Sequence, residues 1–125
     1  MRLFAGDDGI DEDGCILMFE GSYDFYIMVL RTFCTEIEKT VTSMKEAYDA
    51  GDVENYRILV HGLKGSGASA GAVKLVDLAT RSNALIKEGN WPGSKELHGP
   101  IIAELERLIA LIPVRLERFE DQEEK

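Results

Sequence analysis

The sequence predicts an all-α protein: an antiparallel up-down four-helix bundle with a short N-terminal capping helix. Three observations carry this reading. Apolar residues recur at helical spacing through four long segments. The links between those segments are short and rich in Gly, Pro, Asp or Ser. No stretch alternates apolar and polar residues between hairpin turns, as strands would. Long amphipathic helices joined by short links settle as antiparallel neighbours. A chain of 125 residues is one domain, burying about two thirds of its unfolded surface.

Taken in order, residues 1–9 are short, rich in Gly and Asp, and expected to be flexible. The bundle is expected over residues 10–116. Acidic residues 11–13 suit a helix start, where the dipole favours negative charge, and a short amphipathic helix to about Glu20 follows. Ser22 is the N-cap of a long second helix. Its inner face reads Phe25, Met28, Val29, Phe33, Ile37, Val41, Met44 and Tyr48, and Gly51-Asp52 closes it and caps the next. The third helix carries Tyr56, Leu59, Val60, Leu63, Gly67 and Ala70 as a stripe and ends at a Gly71 turn. A fourth turns Leu75, Leu78, Ala79, Ser82, Leu85 and Ile86 inward and stops at Gly89. Trp91-Pro92-Gly93-Ser94 reads as a connection. The last helix is expected to bury Leu97, Ile101, Leu105, Leu108 and Ile112, continuing weakly past Pro113. Residues 117–125 read as an acidic, disordered tail.

Composition removes several classes of function. A formal net charge of −9 argues against nucleic acid as a partner. No apolar run approaches the roughly 18 residues of a membrane span, so no membrane insertion is expected. Residues 1–20 lack the charged-then-apolar layout of a secretion signal. A cytoplasmic protein, or a piece of a larger one, is the expectation. Cys15 and Cys34 fit neither zinc spacing nor a redox pair and read as reduced thiols. Residues 9–20 partly imitate a calcium loop, but Gly9 stands where the first carboxylate belongs and too few residues precede it for an entering helix.

The third helix is where chemistry concentrates. Residues 56–71 hold one of two histidines and four of twelve glycines. The apolar stripe leaves Arg57, His61, Lys64, Gly65 and Ala68 on another face, since positions three and four apart are neighbours on a helix. Each glycine inside a helix costs about 0.5–1 kcal/mol relative to alanine. Gly62, Gly65 and Gly67 therefore cost about 2–3 kcal/mol together, which calls for a functional reason. A neutral imidazole is nucleophilic near pH 7. A cation one turn along is useful chiefly when a negative group arrives on it.

Rival readings fall on missing parts. Metal binding needs further ligands, and no His, Cys, Asp or Glu lies three or four positions after His61; no metal site is expected. His98 reads as an ordinary surface residue. No serine or cysteine elbow supports a nucleophilic triad. Residues 58–70 loosely match a strand followed by a glycine-rich dinucleotide fingerprint, but downstream the pattern stays helical where a second strand is required.

At these residues the sequence resembles the histidine-containing phosphotransfer (HPt) domain family of two-component phosphorelays. His61-Gly62-Leu63-Lys64-Gly65-Ser66-Gly67, then Gly71-Ala72 and Leu75, match the family's H-x-L-K-G-S, G-A and L pattern. Residues 26–33 resemble the family's apolar helix ending in L-x-x-F. The likeness spans roughly residues 10–112. It implies that His61 accepts and donates the phosphoryl group and that Lys64 stabilises the phosphohistidine. Gly65 would give a receiver room to dock, and Ser66 would fill the family's small polar position. The resemblance also implies a receiver-domain partner, with a hybrid sensor histidine kinase as a further one. Magnesium is expected on the receiver and no cofactor on this chain. A monomeric phosphocarrier with no ATP site and no kinase activity of its own follows from it.

Several points stay open at this level. About a turn at Gly71, positions near 81–83 come level with His61, so Asn83 either hydrogen-bonds the imidazole or its phosphate, or is a solvated helix residue. Some proteins similar to this family carry a glutamine there. Arg57 either steers an acidic receiver pocket or is an ordinary exposed arginine, and Ala68 belongs to the same docking face. Gly67 and Ala70 depart from the family, where larger residues are usual, and are expected to loosen packing near the turn. The alternative function is an HPt-like helical module that docks a signalling partner without carrying phosphate.

Overall fold

Most helices start where a side chain of the sequence supplies a partner for unpaired backbone groups. A computed structural model describes residues 2–123. They form α1 (Glu12–Met18), α2 (Tyr23–Ala50), α3 (Val53–Ala70), α4 (Val73–Lys87) and α5 (Trp91–Glu123). Asp11, Ser22 and Asp52 cap α1, α2 and α3, their side chains accepting from the amides of Gly14, Phe25 and Asn55. Gly51 (φ 66°) and Gly71 (φ 79°) close α2 and α3 in the left-handed conformation that glycine adopts without a Cβ penalty.

The fold is all-helical. Helix α2 packs on α3 and α5, α3 on α4, and α4 on α5, while α1 lies against α2. Tyr26, Leu30, Ile37, Met44, Tyr56, Val60, Leu75, Leu105, Leu108 and Ile112 are fully buried in the centre. Among the described residues there is no strand; an isolated bridge pairs Ile10 with Ala72. No helix of the described residues is long and apolar enough to cross a membrane.

The structure departs from the sequence expectation at both ends. The N-terminal segment is pinned rather than flexible: Leu3 and Phe4 are buried. The reason is Glu12, whose buried carboxylate accepts from the amides of Leu3 (2.8 Å) and Phe4 (3.0 Å) and from the Tyr23 hydroxyl (2.8 Å). Asp8 pairs with Arg115 of α5 at 3.4 Å. At the other end, residues 117–123 continue α5 instead of forming a disordered tail; residues 124–125 lie outside those described. Pro113 costs the helix about 3 kcal/mol or more. Burial of Leu116 and Phe119, with Phe119 stacked on Tyr23 at 5.4 Å, offsets that cost.

Two internal expectations also shift. Helix α5 begins at Trp91, so residues 91–94 are its first turn and not a connection. Asn90 accepts from the amide of Gly93 at 2.9 Å and acts as the cap. In the first turns of α2 the inner face is Tyr26 and Leu30, and Phe25 and Met28 are exposed. The spacing of Phe25 and Met28 was as regular as that of Tyr26 and Leu30, so periodicity alone did not separate the two faces.

Candidate functional site

Helix α3 buries Tyr56, Val60, Leu63, Gly67 and Ala70 and turns His61, Gly65 and Ala68 to solvent, with Lys64 half-buried beside them. Gly65-Ser66-Gly67 lies inside this helix, so the strand–loop–helix needed for a dinucleotide fingerprint is absent. Among the described residues no three metal-ligating side chains come together.

The four glycines separate into two kinds. A Cβ at Gly62 or at Gly65 would meet nothing within 4 Å. Nothing in the fold requires glycine there; what it leaves is bare surface beside His61. At Gly67 a Cβ would sit 3.0 Å from Val76 Cγ2 and 3.6 Å from Leu75 Cδ2, so that glycine brings α3 close to α4. The expectation that Gly67 loosens packing is therefore reversed. Gly71 is doubly constrained, by its positive φ and by Cys15 Sγ and the Asp11 carbonyl at 2.8 and 2.9 Å from a Cβ.

Small residues leave hollows on both flanks of this half of α3. One of about 420 Å³ lies against α2, between Met28, Thr32 and Phe33 on one wall and Gly65, Ser66 and Ser69 on the other. A second of about 340 Å³ lies against α1 and α4, lined by Cys15, Met18, Ala68, Val73 and Val76 among others. Around them Leu17, Met18, Phe25, Met28 and Val73 stand exposed. Of these, Met28 lines the first hollow and Met18 and Val73 the second, and exposed apolar side chains gathered at a groove form a candidate contact surface. Helical spacing in the sequence places Phe25 and Met28 in the core, whereas the structure leaves both exposed at this edge.

The polar residues of the face differ in how free they are. Arg57 donates to Glu54 at 2.7 and 3.3 Å. That hydrogen bond, then the charge pair, holds the Glu54 carboxyl below its ordinary range and raises Arg57. Ser66 and Ser69 donate to the carbonyls of Gly62 (3.2 Å) and Gly65 (3.3 Å), back along the helix. Asn83 is neither solvated nor hydrogen-bonded to His61: it is buried on α4, and its Oδ1 has no partner among the described residues.

His98 is likewise not an ordinary surface residue. Its ring stacks on Tyr48 (3.9 Å, 9°), and its Nδ1 shares a 2.9 Å hydrogen bond with the Tyr56 hydroxyl of α3. Burial pushes its pKa down, Asp49 opposes this and Lys45 adds to it. Tyr56 is pushed up by burial. Trp91 packs edge-on against Tyr56 at 5.1 Å, completing an aromatic cluster under the N-terminal half of α3.

The family model described as Hpt domain matches residues 28–112. The chain is similar in fold to histidine-containing phosphotransfer protein B (HptB) from Pseudomonas aeruginosa PAO1. The TM-score is 0.78 at 23% identity, covering 91% of this chain and 98% of that one. No curated protein matches the sequence.

Proposed function

The chain belongs to the Hpt domain family, and we propose that it carries the phosphoryl group of its phosphorelay on His61. The observation that supports this most is the setting of His61. It is exposed on α3, Lys64 follows one turn along, and Cβ positions at Gly62 and Gly65 point into open space. In the transfer, the lone pair of one imidazole nitrogen attacks phosphorus in line. The N–P bond forms as the acyl O–P bond of a phosphorylated receiver aspartate breaks, and the aspartate leaves as carboxylate. The reverse step returns the phosphoryl group to an aspartate. Lys64 supplies positive charge to the phosphoryl oxygens, and the receiver is expected to bring the magnesium. Catalysis of this kind needs positioning and charge, little more.

The fold supports the same reading. The pairwise packing of α2 to α5 fits an antiparallel up-down four-helix bundle, with α1 as its cap. The apolar rim around the two hollows suits the docking of a receiver, with Gly65, Ser66 and Ala68 under it. Arg57, already engaged with Glu54, acts at the edge of that contact. Asn83 is buried on α4 with its Oδ1 unpartnered among the described residues. A monomer in the cytoplasm, exchanging with a receiver and a hybrid sensor histidine kinase, belongs to the same proposal.

The test is chemical. Incubated with a receiver labelled by acetyl phosphate, the wild-type chain is expected to take up acid-labile, alkali-stable label, and His61→Gln to take up none. Label at wild-type level in His61→Gln would place the reactive residue elsewhere.

A further inference from the structure

The last carbonyls of a helix have no partner within it, and at the end of α3 each can be traced. The Ala72 amide bonds Gly67 O at 2.9 Å and the Gly71 amide bonds Ala68 O at 3.2 Å, the two bonds of a Schellman turn. The next three are satisfied from outside α3. Ser69 O accepts from Cys15 Sγ at 3.6 Å, Ala70 O from the Tyr26 hydroxyl at 2.8 Å, and Gly71 O from the Asp11 amide at 2.8 Å. Tyr26 is fully buried and Ala70 nearly so, so water does not replace that hydroxyl. The segment it terminates is the part of α3 most weakened by glycine, and it carries the surface beside His61.

We infer that Tyr26 is a positioning residue for phosphotransfer: its hydroxyl, with Cys15 and the Asp11 amide, terminates the site helix and fixes the surface from Gly65 to Ala70. This rests on the phosphocarrier reading above. Tyr26 touches neither His61 nor a docked receiver. It acts by giving the docking surface one shape before the receiver arrives, which lowers the ordering cost of association.

The experiment uses the full chain with Tyr26→Phe, which removes one oxygen and keeps the ring. Amide hydrogen exchange over residues 67–72 is expected to rise roughly tenfold, the effect of one lost hydrogen bond, while residues 53–60 exchange as in wild type. In transfer from an acetyl-phosphate-labelled receiver, KM for the receiver should rise about three- to tenfold with kcat within about twofold, since the reacting nitrogen lies upstream of the released turns. Tyr56→Phe removes the same group from the other half of α3 and should leave KM unchanged. If Tyr26→Phe does not fold, Cys15→Ala is read in the same way, with a smaller effect in the same direction. Wild-type exchange at 67–72, or an unchanged KM despite faster exchange, overturns the inference alone. A wild-type chain that no receiver labels overturns the phosphocarrier reading and this inference together, while the exchange data still report on the cap.

Discussion

The two halves of α3 are built on opposite principles. The N-terminal half is capped by Asp52, seated on Tyr56 and Val60, and backed by His98, Tyr48 and Trp91. Large side chains fix it, packed against aromatic residues of α2 and α5. From Gly65 on, the C-terminal half is made only of Gly, Ser and Ala, flanked by two hollows and held at its end by groups from α1 and α2. One half is stabilised by what its side chains fill, the other by what surrounds it. His61 sits between them. On the proposed phosphocarrier reading, this gives the His61 imidazole a rigid base on one side and open space for a receiver on the other, and a single helix supplies both by changing composition along its length.

That contrast can be broken in a definite order. After the loss of label in His61→Gln, the largest effect is expected from Lys64→Ala. Transfer should slow about a hundredfold to a thousandfold, as when one charge-stabilising donor is removed, with receiver affinity nearly unchanged. A variant that only weakens receiver binding would favour a docking module over a phosphocarrier.

The glycines give opposite signs within one half-helix. Gly71→Ala should destabilise by about 2–4 kcal/mol, from the left-handed backbone and the contact with Asp11 and Cys15. Gly65→Ala should stabilise the fold by about 0.5–1 kcal/mol through helix propensity and yet raise the receiver KM. Denaturation midpoints and transfer kinetics together separate the two. A loss of stability in Gly65→Ala would mean that its open surface is part of the fold after all.

The smallest effect concerns the other half. Because burial lowers the His98 pKa in the folded state, the unfolded chain binds the extra proton more readily. The stabilising contribution is thus present above the ordinary value of 6.5 and lost as pH falls through the lowered folded value. His98→Gln should flatten that part of a stability–pH profile while leaving transfer at pH 8 intact. A pH dependence that persists in His98→Gln would move its origin to another group.

Much of this was legible in residue order. Ser22, Asp52 and Gly51 signal helix ends by local chemistry, and α2 and α3 begin and stop at them. The α3 stripe and the outward histidine followed from spacing alone, because a helix surface repeats every few residues whatever lies against it. Legibility failed wherever the deciding partner was distant in sequence. Tyr26 and Phe25 are adjacent, and what distinguishes Tyr26 is its place in the core and its hydrogen bond to Ala70 O, 44 residues away. Leu3 and Phe4 looked frayed because their partner, the Glu12 carboxylate, reads locally as one more acidic residue at a helix start. The last helix, expected to continue only weakly past Pro113, runs on to Glu123 because Leu116 and Phe119 are buried and Phe119 stacks on Tyr23. His98 looked solvated for want of any hint that Tyr48 and Tyr56 converge on it.

By itself, then, the sequence determined the number and order of the helices, the caps of α2 and α3, the face that carries His61 and Lys64, and the family they belong to, since all of these depend on spacing within one segment. Tertiary structure alone decided what each glycine is for. Gly65 opens a surface, Gly67 admits α4, and Gly71 admits α1. The residue type is the same at all three, and only the neighbours that a Cβ would meet tell them apart.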